Sequence, residues 1–292
     1  MNYITVGVDG SQASARALEW AAAEAARTGS ALRIVHAMDL PDVTGIYSPA
    51  KISPLGVAEL TKFSRRLLRA AAHRVENIAP GVRVDTRSAT GAASAVLVHQ
   101  SHESDAVVVG SRGLGAFEGL LGSVSTKVAA RAECPVFVIP DHGGPERASG
   151  PIVAAVDDSD SGVDALRYAL KEALVRNTPV RAVIAYELPI VSVPVYPGVT
   201  SSFEQDGHDQ AAAVLQKAID QARTTDTDRV PVESVVVEGP AVEAILANAR
   251  DAQLIVVGSR RHGVFQQLLL GSTSRLLLHR TDLPVAVVHH RA

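Results

Sequence analysis

With only one cysteine, Cys134, the chain cannot close an internal disulfide. That cysteine precedes Pro135 in an apolar stretch rather than standing among His or Asp residues, so it reads as core and not as a metal ligand. Long apolar runs are also missing. None reaches the roughly 18 residues that a membrane-spanning helix needs. Charge of one sign is scarce: 28 Lys plus Arg stand against 31 Asp plus Glu, a net charge of −3 with no long like-charge run. That balance gives no reason to expect a nucleic-acid partner. No basic leader precedes the apolar stretch Tyr3 to Val8, and the expectation is a soluble, cytoplasmic protein. Catalytic signatures are thin as well. The Walker pattern ending in Lys-Ser/Thr and the G-x-S-x-G nucleophile elbow are both absent, and no nucleophile with its base recurs along the chain.

What is present is an internal repeat. Ile4-Thr5-Val6-Gly7-Val8-Asp9-Gly10-Ser11 returns as Ile152-Val153-Ala154-Ala155-Val156-Asp157-Asp158-Ser159, an offset of 148 residues. Gly91 matches Gly239 at the same offset, as Val108 to Arg112 match Val256 to Arg260; the matches run without an indel as far as Gly110, after which the offset becomes 149. Two domains follow, residues 1–141 and 150–292, joined by a linker over 142–149 rich in Gly, Pro and polar residues.

In each half, short Val/Ile-rich runs alternate with longer stretches of helical periodicity. The first half predicts strands near 3–8, 32–38, 82–88, 105–110 and 135–139. Helices are predicted over Ser14 to Thr28, Ala58 to Ile78, Ala92 to Ser101 and Ser123 to Arg131. The first helix carries an apolar stripe at Ala17, Leu18, Ala21 and Ala25 and is stopped by Gly29. This grammar implies an α/β fold: two tandem Rossmann-like domains, each an open five-stranded parallel sheet with helices on both faces. Such sheets bind ligands beyond the carboxyl ends of their strands, where strand order reverses, which directs attention to Asp9 and Gly110.

After the fourth strand the first half reads G-x2-G-x8-G-S, from Gly110 through Gly113 to Gly122 and Ser123, and a helix follows at once. Glycines admit close approaches, and the free amides of a helix start can point at phosphate oxygens, with Ser123 and Ser125 adding hydroxyls. The same residues also suit a long loop with Ser123 as a helix N-cap. Asp9 and Asp157 can accept bonds from ribose hydroxyls, or cap the helices that follow. His36 lies in an apolar strand and reads as an interior histidine; His289 and His290 read as a frayed tail. The proline-bearing segments from Leu40 to Val57 and from Leu188 to Gly207 read either as lids or as plain connections.

These residues resemble the universal stress protein family in its tandem form, over nearly the whole chain. The motifs that carry the likeness are Asp9-Gly10-Ser11, Val35-His36-Ala37, the run from Val107 to Gly113, Gly122-Ser123-Val124-Ser125 and Cys134-Pro135-Val136. The resemblance implies an ATP site in each half. In the first, Gly110, Gly113, Gly122, Ser123, Val124 and Ser125 hold phosphates, Asp9, Gly10 and Ser11 lie beside the nucleoside, and the backbone at Ala37 meets adenine. In the second the counterparts are Gly258, Gly271, Ser272, Thr273 and Ser274, then Asp157 and Ser159, then Ala185. Magnesium would come through the phosphates. The resemblance also implies a nucleotide-dependent regulator in stress response, an intrachain pseudo-dimer that pairs again as a homodimer, and a protein partner that it does not name. A slow ATPase or phosphoryl-transfer enzyme and a nucleotide-free scaffold are the alternatives. The family's second spacer has nine residues where the first half has eight. The second half has nine but replaces the second glycine with Arg261, which either crowds the phosphates or bonds them. Asp158, in place of Gly10, brings a negative charge toward the second site. Arg112 and Arg260 match in position and read equally as phosphate contacts or as solvated arginines.

Overall fold

The computed structural model describes residues 2–39, 54–113, 122–141, 149–188, 199–259 and 270–289. The chain divides into two units, Met1–His142 and Gly143–Ala292. In chain order the first contains β1 (Tyr3–Gly7), α1 (Gln12–Thr28), β2 (Ala31–Met38), α2 (Pro54–Ile78), β3 (Val84–Thr90), α3 (Ala93–Ser101), β4 (Ala106–Gly110), α4 (Ser123–Arg131) and β5 (Val136–Ile139). The second repeats the series as β6 (Ile152–Val156), α5 (Asp160–Arg176), β7 (Val180–Tyr186), α6 (Val199–Ala222), β8 (Val232–Glu238), α7 (Ala241–Asn248), β9 (Leu254–Ser259), α8 (Ser272–Arg280) and β10 (Val285–His289).

Within the first unit the strands run parallel in the order β3-β2-β1-β4-β5; within the second the order is β8-β7-β6-β9-β10. Strand order therefore reverses beside β1 and β6, the central strands, at whose carboxyl ends a crevice must open. Val6 and Val108, in register on β1 and β4, are both fully buried, as continuous apolar runs in a parallel sheet require.

Helix α1 starts at Gln12 rather than Ser14 because the Ser11 hydroxyl caps it, accepting from the Ser14 amide. Its expected stripe is buried, and Trp20, on the same helix, stacks on Phe137 with ring centroids 4.4 Å apart. Strand β3 lies two residues later than expected. Its register with β2, from Leu32 beside Val84 to Met38 beside Thr90, sets its ends, while its half-exposed polar sequence carries little periodicity. An arginine with two acids secures the opposite end of each sheet. Arg33 on β2 bonds Asp85 and Glu103, each at 3.1 Å, and Arg181 on β7 bonds Glu233 and Asp251, each at 2.7 Å.

The structure corrects one expectation about the repeat. Buried positions Ser64, Leu68, Ala71 and Val75 of α2 correspond to Ala211, Leu215, Ala218 and Ala222 of α6, a step of 147, and 148 returns where Val84 of β3 matches Val232 of β8. The repeat thus contains a compensating pair of one-residue changes, the second falling between Val75 and Val84.

At the ends of α1 and α5 the repeat keeps a conformation while changing the residue. Gly29 has φ 69° and its counterpart Asn177 has φ 51°, both left-handed C-caps. Nothing lies within 4 Å of a Cβ built on Gly29. Gly29→Ala should therefore cost about 1 kcal/mol through backbone strain alone, and Asn177→Gly should cost nothing or stabilise slightly. Denaturant midpoints of the two variants check this.

Candidate functional site

In the second unit the carboxyl ends of β6, β7 and β9 open into a cleft continuous with solvent. Its wall brings together Asp157, Ala185, Gly258, Gly271, Ser272, Thr273 and Ser274, all expected from sequence. Ser159, also expected, does not line it. Ser159 is the N-cap of α5, accepting from the Gly162 amide at 3.2 Å and bonding the Asp157 carboxylate. Asp158 is exposed and outside the lining, so its side chain is not part of the wall. Sequence reasoning missed the opposite wall, where Ala241 and Ile245 of α7 join Val183 of β7. The available signal was Gly239 at φ 125°, matching Gly91 at φ 132°: each glycine turns the chain into a short helix whose first apolar residues overhang the sheet.

Close packing builds the mouth. A Cβ on Gly258 would stand 2.4 Å from Ser161 Oγ and 2.5 Å from the Ser161 carbonyl oxygen; one on Gly110 would stand 2.8 to 2.9 Å from atoms of Ala13. These glycines, at the ends of β9 and β4, let the first turn of the helix that follows the adjacent central strand, α5 or α1, lie directly against them. A Cβ on Gly113 would lie 2.7 Å from Asp9 Oδ2, so that glycine lets the loop pass over the carboxylate. Asp9 Oδ1 accepts from the Ser11 amide at 2.9 Å, with Gly10 at φ 87° making the turn. Asp9 thus belongs to the cap of α1 while still facing the glycine loop.

The helix starts on the far side of the mouth are braced from within. Gly122 is the N-cap of α4, and its amide donates to the Ser111 carbonyl at 2.8 Å. Ser123, exposed, is the first helical residue rather than the cap, and half-buried Val124 is the second. Ser125 is buried, and its hydroxyl donates to the carbonyls of Ser111 and Gly122 at 3.0 and 2.9 Å. Ser274 likewise donates to the Gly258 carbonyl at 3.0 Å. In this arrangement the two deeper serines hold loop to helix, and Ser123, Ser272 and Thr273 stand nearer the opening. Ala37 is half-buried on β2, in register with Ala89.

Arg112 pairs with Asp141 at 3.1 Å, which occupies one of its amino groups. His36 is buried, its Nδ1 hydrogen-bonded to Ser64 at 2.9 Å, and Ser64 is bonded to Ser88 at 2.8 Å. Burial holds the His36 pKa below the ordinary 6.5, and the Asp9 carboxylate opposes that shift. Cys134 is buried. His289 overturns the expectation of a frayed tail: it ends β10 in register with Ser259 and is buried, because the last strand pairs along its full length. Arg260, Arg261, residues 114–121 of the first glycine loop, His290 and most of both proline-bearing segments lie outside the described residues. Among the described residues no helix is long and apolar enough to cross a membrane.

A model of the universal stress protein family matches residues 1–140 and again 149–289. Two universal stress proteins of Mycobacterium tuberculosis are similar along nearly their whole length. One is 33% identical over 298 residues, covering 97% of this chain and 96% of the relative. The other is 32% identical over 291 residues, covering 97% and 95%. Among solved structures, a universal stress protein from Archaeoglobus fulgidus superposes with a TM-score of 0.73 at 20% identity, over 99% of this chain and 96% of that one.

The His36 environment predicts a pH dependence. A histidine whose pKa is lower folded than unfolded leaves the unfolded chain holding more protons, so stability rises with pH in that window. The His36 contribution is complete above pH 6.5, the unfolded value, and is lost as pH falls from there through the folded value. The denaturant midpoint should fall more between about pH 7 and pH 5 in the wild-type chain than in His36→Asn. Parallel profiles would show that His36 does not titrate in this way.

Proposed function

Because the chain belongs to the universal stress protein family, we propose that it is an ATP-binding regulator, with nucleotide seated across the mouth of the second unit and the matching mouth of the first. The observation that carries this reading is the convergence, in one cleft at the strand-order reversal, of a carboxylate, an uncapped helix start and an apolar wall. Each suits one part of a nucleotide.

The first amides of α8 have no intrahelical acceptors, and its N-cap, Gly271, makes no side-chain bond to them. Phosphate oxygens complete those amides, aided by the Ser272 and Thr273 hydroxyls and by a macrodipole term of about 0.3–1 kcal/mol. Asp157 accepts from the ribose hydroxyls. Val183, Ala185, Ala241 and Ile245 leave an apolar slot in which an adenine ring can bury its faces against small side chains while its edge meets backbone at Ala185. Among the described residues no group of three or more His, Cys, Asp or Glu side chains could hold a metal, so magnesium would be carried by the phosphates. In the first unit the corresponding ligands are the α4 start at Ser123 and Val124, Asp9, and the backbone at Ala37.

The reading is of a binder. Ser125 and Ser274 donate to carbonyls and act as braces rather than nucleophiles. A nucleotide would tie the β6 turn, α7 and α8 to one another, so occupancy alters the surface that a partner protein meets.

Gly271→Asp separates binding from folding. Its backbone, φ −56° and ψ 151°, suits an aspartate N-cap, so α8 should hold or gain stability while a carboxylate faces the phosphates. ATP affinity of this site, measured by calorimetry, should fall by at least about tenfold. A folded variant that binds ATP as tightly as the wild type would remove the phosphate assignment. Nucleotide released by heating the purified wild-type protein and identified by chromatography should be ATP.

A further inference from the structure

The outward face of α2 is mainly cationic, whereas the matching face of α6 carries carboxylates and uncharged residues. On α2, Lys62, Arg65, Arg66, Arg69 and His73 are exposed, all within one stripe at helical spacing opposite the buried positions Ser64, Leu68, Ala71 and Val75. Eleven residues separate Lys62 from His73, about 16 Å along the axis. Lys62 has a loose pairing with Glu59 at 3.7 Å, whereas Arg65, Arg66 and Arg69 have no ion-pair partner among the described residues. On α6, the step of 147 set by the buried residues puts Asp209 where α2 has Lys62 and Asp220 where it has His73. Ala212, Ala213 and Gln216 stand where α2 has Arg65, Arg66 and Arg69. Asp206, Asp209 and Asp220 are exposed, and none has a Lys or Arg partner among the described residues. Their neighbours are Gln205 and His208 beside Asp209 and Gln216 beside Asp220.

The repeat supplies its own control. The two helices pack on their sheets through the same buried positions, so packing does not require either stripe. Like charges three and four residues apart oppose a helix, and a merely solvated face interleaves signs instead. Lys62 with Arg66, Arg65 with Arg69, and Lys62 with Arg65 are such pairs. A cationic stripe that the fold does not need, matched by an anionic stripe on the same chain, fits a partner carrying the complementary stripe.

We propose that the α2 stripe of one copy of this chain docks on the α6 stripe of a second copy. The exposed carboxylates of α6 are a complementary surface that the chain itself supplies, which favours a second copy over a nucleic acid or an anionic membrane. The contact pairs a surface with a different surface, so it adds copies head to tail or closes reciprocally. Being exposed and polar, it is weak and salt-sensitive.

Charge exchange tests the pairing. One variant carries Arg65→Glu, Arg66→Glu and Arg69→Glu; the other carries Asp206→Lys, Asp209→Lys and Asp220→Lys. All six positions are exposed, and circular dichroism verifies that each variant folds. In sedimentation velocity at low ionic strength the wild-type chain should show an association step that salt removes. Each variant alone should lose that step, its two stripes now sharing one sign, and an equimolar mixture of the two should regain it. No salt-sensitive step in the wild type, variants that associate like the wild type, or a mixture that stays apart would each overturn the proposal. So would a wild-type chain that shows no such step but binds anionic phosphatidylserine vesicles through the three arginines.

Discussion

The site depends on the absence of one carbon atom at the end of a central strand. At Gly110 and Gly258 the first turn of a helix that began on the adjacent strand comes close enough to exclude any Cβ. That approach places the turn after the first strand of each unit, with its aspartate, beside the end of the fourth strand. Moving the helix outward to make room for a side chain would separate the carboxylate from the helix start. The crevice expected at a strand-order reversal would then lose one of its two polar walls. Several other features serve this juxtaposition: the Ser11 and Ser159 caps that start the helix early, Gly10 in its left-handed turn, and Gly113 passing over Asp9.

The fold was legible in the sequence because periodicity and repetition are local signals, and the strands that cover both faces of a core announce themselves as unbroken Val/Ile runs. Edge strand β3 was placed two residues early because Asp85, Thr86, Arg87 and Ser88 give no alternation and only pairing with β2 sets its register. At the site, the residue types were legible and their tasks were not. Gly110 could be seen as a loop glycine, but its reason is Ala13, ninety-seven positions away in sequence. Ser125 and Ser274 looked like hydroxyl donors for a ligand; only the folded chain shows the carbonyls they bond. The α7 wall was missed because Ala241 and Ile245 carry no chemistry of their own and matter through where Gly239 sends the chain.

The two units share some features and divide on others, and the division is informative. Both keep the arginine that joins the second strand to acids beyond it, the left-handed helix cap, and the deep serine that braces the glycine loop. These are requirements of a sheet with an open mouth. Under α2, however, the first unit has the chain His36, Ser64 and Ser88, where the second has Ile184, Ala211 and Val236. Its inner members, His36 and Ser64, are buried, where a polar group is costly unless bonded, and Ser88 is exposed. This polar chain fixes the rotation of α2 against the sheet, and Asp9 acts electrostatically on its histidine. The second unit, with Ile184 in place of the histidine, has no titrating group at that position.

Bracing also bears on how a ligand would be held. A helix start whose amides are aimed by internal hydrogen bonds does not have to be ordered when an anion arrives, so less of the binding energy is lost to fixing the loop. Ser125 and Ser274 do this by giving up their own protons to carbonyl oxygens. The hydroxyls left at the opening, Ser123, Ser272 and Thr273, sit on the first helical turn, where their backbone is already fixed. Two classes of hydroxyl thus stand within three residues of each other, one bonded inward and one facing outward. The inward one sets the geometry in which the outward one and the amides beside it can act together on a single charged group.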